Sequence, residues 1–557
     1  MQYGKNRTGE KTMLRRIIQT FIVIIGILLF SVAYATTYYI DWETGDDNSN
    51  GTTKTTPWKR FPGMRGCWST DGASVCNTKR AAEGVAGDRF IFKGGVTWPK
   101  EAFGIYFGAG TGTEKNKIYI GVDQTWHTGE VWSRPIFDTE GVETYETPST
   151  YHNTMTLKGT WLVVDNIEFT GMAQLHGLNN GYGTAMLVFT TTASHSEVKN
   201  CYFHGWSHGA TTDGYWDGGV DAGEIAGDGS KIVVFTSLSA AIDFGSQFHD
   251  NVIDGSDTTG DMLKAINGTC GHIYNNYIGY VVTAIIGVGQ GYIWGNTFDH
   301  ISRSSLESNC SGYFSYACVP GYNQHGNGIE TYNIQYPIYN NLFNVMGGGA
   351  NLIQYSTGNF SSYIFNNVIV DDGNQTMQIS TKSLSPGDDN NWFIFNNTIQ
   401  AINSNGSING TTVPVTKFST ASIQNNHIIS SPTGDSINFP LATTSLIQDY
   451  NFDHTLAQAT SAGYVADGAY PFVPPVDGVT IGVGVNLSSI TAAIPTTVIS
   501  NAAAAALSDT SVGVNYDVIN HRIIGQNRTP LLRGATWDIG AYSRGGISSP
   551  RNSRIIP

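Results

Sequence analysis

Asn340-Asn341-Leu342-Phe343, Asn366-Asn367-Val368-Ile369 and Asn396-Asn397-Thr398-Ile399 are copies of one phrase, an asparagine pair followed by β-branched and apolar residues. Asn275-Asn276-Tyr277-Ile278 and Asn425-Asn426-His427-Ile428 repeat it. Looser copies stand at Asn166-Ile167-Glu168-Phe169, Asn200-Cys201-Tyr202-Phe203, Asn251-Val252-Ile253 and Asn296-Thr297-Phe298. A unit this short cannot bury its apolar face alone, so its recurrence implies coils stacked on one another.

Counted from the closing Asn, positions 251, 276 and 296 are 25 and 20 residues apart, and 341, 367, 397 and 426 are 26, 30 and 29 apart. The gaps from 200 to 251 and from 296 to 341 fit two turns with one Asn missing, or one turn with a long loop. Leucine-rich repeats share this period, but their leucine framework is absent, and the segments are too β-branched and Gly-punctuated for helical repeats. An antiparallel sandwich would place turns every ~8–12 residues. The spacing predicts a right-handed parallel β-helix, an all-β solenoid with Asn-rich turns and loop insertions. Each coil rises by about 4.8 Å, and equivalent Asn side chains hydrogen-bond up the stack. Charged residues are only 13% and Gly is 66 of 557, as many short strands and tight turns require.

Arg15-Arg16 before the apolar run Ile17 to Val32, ending in Ala33-Tyr34-Ala35, reads as an export signal, with an uncleaved anchor as the rival reading. Removing residues 1–35 leaves 25 basic and 43 acidic residues, a formal charge of −18. That sign disfavours nucleic acid, and no second membrane segment is visible. The reading is therefore a monomer that is secreted, periplasmic or on the cell surface, with a signal at 1–35. The N-terminal cap and first coils follow at 36–150, the β-helix core at 151–435, and C-terminal coils with a cap over the open end at 436–557. An alanine-rich helix is expected over Asn501 to Leu507. Six cysteines in an exported chain fit disulfides. Cys67/Cys76 and Cys310/Cys318 flank short loops, while Cys201 and Cys270 either pair or lie buried as free thiols.

Two end motifs sharpen this. Tyr39-Ile40-Asp41, Gly45-Asp46-Asp47-Asn48-Ser49-Asn50-Gly51-Thr52 and Pro57-Trp58 open the mature chain. Arg528-Thr529-Pro530 and Trp537-Asp538-Ile539-Gly540-Ala541-Tyr542 close it. With the Asn rungs between them, these resemble secreted right-handed parallel β-helix proteins of the pectate-lyase-like superfamily, over most of residues 38–542. The resemblance implies the fold and a polysaccharide as substrate or ligand. It does not choose among lyases, glycoside hydrolases, esterases, tailspikes and non-catalytic surface proteins.

Counting back from each closing Asn places Lys264, Thr283, Glu330 and Gln354 in one polar column on an outer face, with Gln378 extending it. If the polymer is a uronate, Lys264 is the candidate base for elimination, and Arg303 or bound calcium neutralises the carboxylate. If it is neutral, Asp261 and Glu330 are the carboxylate pair for hydrolysis. His325 leads into the Glu330 strand. Asp213, Asp217, Asp221 and Glu224 in a Gly-rich stretch offer the oxygen ligands calcium prefers, although their spacing matches no EF-hand. Trp206, Tyr215 and Trp216 bracket that stretch as candidate sugar-stacking rings. His204, His208, His249 and His300 fall at turns and read as structural. No Gly-x-Ser-x-Gly elbow or phosphate loop is present. Two functions compete: a polysaccharide-cleaving enzyme, and a non-catalytic glycan-binding surface or adhesion protein.

Overall fold

The computed structural model describes residues 35–544 apart from 68–83, 109–110, 141–152, 175–184, 191–192, 209–230, 236–244, 258–263, 269–270, 282, 289–290, 303–326, 333–336, 348–349, 357–359, 371–376, 384–389, 402–407, 413–419, 431–436, 439–444, 467, 469, 498, 510–511 and 526–527. Three parallel sheets of 13, 12 and 11 strands run the length of the molecule. One coil shows the plan. His272–Tyr274 lies in the first sheet, Tyr277–Gly279 in the second and Thr283–Val288 in the third, and Tyr292–Trp294 then pairs with His272–Tyr274 one coil on. The chain is a right-handed parallel β-helix.

The inner columns are aliphatic and aromatic. Ile273, Ile293, Ile338, Ile364, Ile394 and Ile423 succeed one another in the first sheet. Val233, Ile266, Ile285, Ile329, Leu352, Ile379 and Ile408 do so in the third. All are buried. Each such side chain contributes roughly 1.5–3 kcal/mol on leaving water, so the stack is held by repetition of one contact.

The asparagine pair divides its work. The first residue of each turn takes the left-handed conformation, with φ near 54° at Asn275, Asn340, Asn366 and Asn396, a region that Asn tolerates better than most residues. The second builds a ladder through Asn251, Asn276, Asn296, Asn341, Asn367, Asn397 and Asn426, all fully buried, to a half-buried Asn451 in the last coil. Asn276 Nδ2 donates to Asn296 Oδ1 at 2.9 Å and to the Phe248 carbonyl at 2.9 Å, while its backbone N–H donates to the same Asn296 oxygen at 3.0 Å. The amide of each such ladder Asn is thereby paired, as a dry interior requires.

Both long gaps are single coils. Glu197–Lys199 pairs directly with Gln247–His249, and Tyr292–Trp294 with Ile338–Tyr339, so each gap advances the stack by one coil.

At the N-terminus Trp58 stacks on Tyr38 at 4.5 Å, and buried Asp41 accepts from Lys93 Nζ at 2.8 Å. A Cβ on Gly51, at φ +72°, would lie 2.4 Å from the Trp58 ring. Cys67 is buried in these first coils, with Cys76 outside the described residues, as are Cys270, Cys310 and Cys318. Cys201 is a buried free thiol.

The C-terminal segment departs from the expected end cap. After the last coil it runs back along the flank of the solenoid. Leu487, Ile494, Ala502 and Trp537 pack on the outward rings of Tyr292, Tyr339, Tyr363, Phe365 and Phe395. Farther back, Val514 and Tyr516 reach Tyr202 and Tyr277, and the Asn520 carbonyl accepts from Arg134. In the terminal strand Ser445–Asp449, Leu446 and Ile447 stay exposed. Outward aromatic columns explain the difference: their rings form a continuous apolar surface that the segment buries. The alanine-rich helix forms at Ala502–Ala506, capped by Asn501 Oδ1. The Asp-Ile-Gly-Ala-Tyr motif anchors this strap. The Gly540 N–H donates to the Asn425 carbonyl, the Ala541 N–H donates to Thr398 Oγ1, and Tyr542 is buried.

Candidate functional site

The third sheet carries the residues singled out in the sequence. Lys231, Lys264 and Thr283 are in register on three successive coils, each the first residue of its strand. Lys264 is half-buried and Thr283 buried, and both stand two residues before the inward Ile266 and Ile285, so they share the inward parity rather than the expected outer face. The expected four-residue column does not extend beyond this. Ile285 pairs with Ile329 and Ile286 with Glu330, so Glu330 stands three residues farther along its strand than Thr283 does. An odd offset also reverses the face of a strand. Glu330 therefore lies beside Ile286 on the outer side, where its carboxylate accepts from Asn327 Nδ2 at 2.8 Å.

Gln354 pairs with Thr331, and Gln378 lies one residue past the Met377–Ala350 pair, so neither shares the Lys264 position. The physical reason is that the route from second to third sheet varies from two residues (348–349) to 26 (205–230). A count back from the Asn turn therefore loses the register. Lys231 was missed for the same reason: it follows a long connection, and only strand pairing brings it beside Lys264.

Trp206 is also corrected. It is fully buried in the main core, and a Cβ on Gly255 would sit 2.5 Å from its ring, so it is no platform for a sugar. Asp261, Arg303, His325, Tyr215, Trp216, Asp213, Asp217, Asp221 and Glu224 lie outside the described residues. Among the described residues no group of three His, Cys, Asp or Glu could hold a metal ion.

Two polar clusters on the other sheets bear on electrostatics. Glu197 accepts from Lys117 and Lys199, both at 2.6 Å, and contacts His249 Nε2 at 3.4 Å. Burial opposes its charge, but these partners prevail and lower its pKa. His204 lies between Asp257, at 2.7 Å from Nδ1, and Glu168, at 3.2 Å from Nε2. Burial disfavours the charged ring, yet the two carboxylates outweigh it and raise its pKa to about 9. Tyr202 stacks on both His204 and His521. Ring and carboxylate here are partnered to each other under the strap, which is a structural arrangement.

Compared with protein-family models and with curated protein sequences, the chain matches none. Among solved structures it is similar to a GH136 lacto-N-biosidase from Eubacterium ramulus, at 12% identity over 76% of this chain and 68% of that one, with a TM-score of 0.38. It is similar to pectate lyase Pel9A at 11% identity, over 92% and 98% of the two chains, TM-score 0.38. A PL6 family polysaccharide lyase from Pseudopedobacter saltans matches at 11% identity over 71% and 95%, TM-score 0.39.

Proposed function

We propose that the protein is an exported enzyme that cleaves an acidic polysaccharide at the corner where the second sheet passes into the third, along the leading ends of the third-sheet strands. The observation that carries this reading is the register of Lys231 with Lys264. Two lysines one strand spacing apart, about 4.8 Å along the stack, offer paired cationic positions in a chain of net charge −14. Both open their strands of the third sheet. A uronic acid unit would set its carboxylate against one lysine. The other, in its neutral amine form, would take the proton from the carbon beside that carboxylate. The electron pair released forms a carbon–carbon double bond as the bond to the glycosidic oxygen breaks, and that oxygen leaves with a proton from solvent or a neighbouring acid. Calcium held by Asp213, Asp217, Asp221 and Glu224 belongs to the same proposal as a second means of neutralising the carboxylate.

The test is incubation of the mature chain with polygalacturonate, alginate and neutral polymers, with and without calcium. Ultraviolet absorbance of unsaturated sugar ends on an acidic polymer is the expected result, abolished in Lys264→Ala with folding intact. New reducing ends without that absorbance would move the reaction to hydrolysis by Asp261 and Glu330. Retention on the polymer without cleavage would leave a glycan-binding surface protein instead.

A further inference from the structure

At the corner between the first and second sheets, away from Lys264, the returning strap leaves a groove of ≈ 770 Å³. One wall is the left-handed turn residue of six successive coils, Asn166, Asn200, Asp250, Asn275, Gly295 and Asn340. Five strand spacings give it a length of about 24 Å. The other wall is the strap itself, at Gly513, Val514, Arg522 and Ile523.

The floor is formed by Trp294 and Tyr339. They belong to an outward column, His249, Tyr274, Trp294 and Tyr339, whose rings stack on one another with centroids 4.6, 4.2 and 6.0 Å apart and planes within 6°, so they meet the groove edge-on. Farther along, the same column continues as Phe365 and Phe395 and is sealed beneath Leu487 and Ala502. At Tyr274 and Trp294 the rings are only half-buried. The rim is polar. Asn340 is 4% exposed, and its amide oxygen is buried with no hydrogen-bond partner in the protein, although the residue lines the groove. Such an atom is costly unless a ligand or water satisfies it.

We propose that this groove is a second, non-catalytic site that binds a neutral oligosaccharide chain. The ring edges of Trp294 and Tyr339 give the floor its apolar contact, and turn amides spaced one coil apart, about 4.8 Å, meet the hydroxyls of successive sugar units. The charges argue against a uronate here. Asp250 is engaged with His249 Nδ1 at 2.7 Å, and Arg522 with Asp517 at 3.2 Å, so the lining supplies no cation for each carboxylate. The site is independent of the cleavage reaction proposed above.

The experiment is a tryptophan-fluorescence titration of the mature chain with cellohexaose, xylohexaose, mannohexaose and hexagalacturonate. One neutral hexasaccharide should saturate the signal. Trp294→Ala should weaken that binding at least tenfold, and Asn340→Gly, which keeps the left-handed turn, several-fold. Exposed Arg522→Ala gives a milder loss in a variant whose folding is not at risk, while Lys264→Ala keeps full binding. Saturation by hexagalacturonate alone, by no hexasaccharide, or equally in wild type and Trp294→Ala would overturn the assignment. Binding without polymer cleavage would sink only the proposed activity.

Discussion

Cys201 occupies the rung immediately before Asn251 in the asparagine ladder. Its N–H donates to Asn251 Oδ1 at 2.9 Å, and its thiol lies 3.3 Å from the Lys199 carbonyl and 3.9 Å from that of Val164. These are the carbonyls that a ladder Asn addresses, as Asn276 addresses Tyr274 and Phe248. The Ile167 N–H bonds to the thiol from the coil before. The cysteine is thus a weak stand-in for asparagine, and burial pushes its pKa up to about 12, leaving a neutral thiol.

Cys201→Asn should therefore extend the ladder by one rung. A thiol is a poor donor and acceptor, so real amide bonds to Val164, Lys199 and Ile167 should raise the unfolding midpoint, by an amount worth about 1 kcal/mol. Cys201→Leu should lower it. A Cys201→Asn protein less stable than wild type in denaturant titration would show that the rung geometry does not continue.

Asn367→Leu tests the ladder's middle. Asn367 Oδ1 accepts from the Asn341 N–H at 3.1 Å and from Asn341 Nδ2 at 3.0 Å, and its own Nδ2 donates to Ile338 O and Asn397 Oδ1, both at 3.0 Å. Leucine strands these groups in a dry interior at about 1–3 kcal/mol each, so the loss should reach at least about 3 kcal/mol. A change below about 1 kcal/mol would mean that water enters the stack.

The Asn-Asn phrase was readable because it encodes two physical demands side by side: a residue tolerating φ near 54° at Asn366, and a buried amide at Asn367. From it the coil, the core columns and the parallel sheets follow. Glu330 was misplaced because connection lengths between second and third sheets carry no signal of register. Trp206 was misread because an aromatic beside a Gly-rich loop looks the same whether it stacks on sugar or plugs a coil. The strap's path was hidden because its apolar residues, Val485, Leu487, Ile494, Val512 and Val514, follow no period. Their partners are outward rings that only the three-dimensional column brings together.

Arg533→Met should loosen that strap. The guanidinium is buried and donates to Asn366 Oδ1 at 3.0 Å and to the carbonyls of Asp538, Gly540 and Ala541 at 3.2, 3.3 and 3.0 Å. Burial lowers its pKa to about 10, so it stays charged at neutral pH. Methionine fills the space but leaves those acceptors unpaired, for a loss of about 3 kcal/mol or more. Trp537, packed against Arg533 at 5.5 Å, should report it by a red-shifted fluorescence before the coils unfold. If that emission and the unfolding midpoint both stay at wild-type values, Arg533 does not anchor the strap.

His204 makes stability depend on alkaline pH. Its folded pKa of about 9 stands above the ordinary 6.5 because the ring's hydrogen bonds to Asp257 and Glu168 outweigh burial. The folded state therefore holds this proton more tightly than the unfolded chain does. The resulting stabilisation is fully present below pH 6.5 and is lost as pH rises through 9. After discounting for the half-exposed Asp257, it amounts to about 2 kcal/mol. His521, across the Tyr202 ring, has its pKa lowered by burial and by the charge on His204, so it stays neutral over this window and adds no opposing slope. Melting temperatures from pH 6.5 to 9.5 should fall more steeply for wild type than for His204→Gln. Parallel curves would show that the ring carries no proton between its two carboxylates.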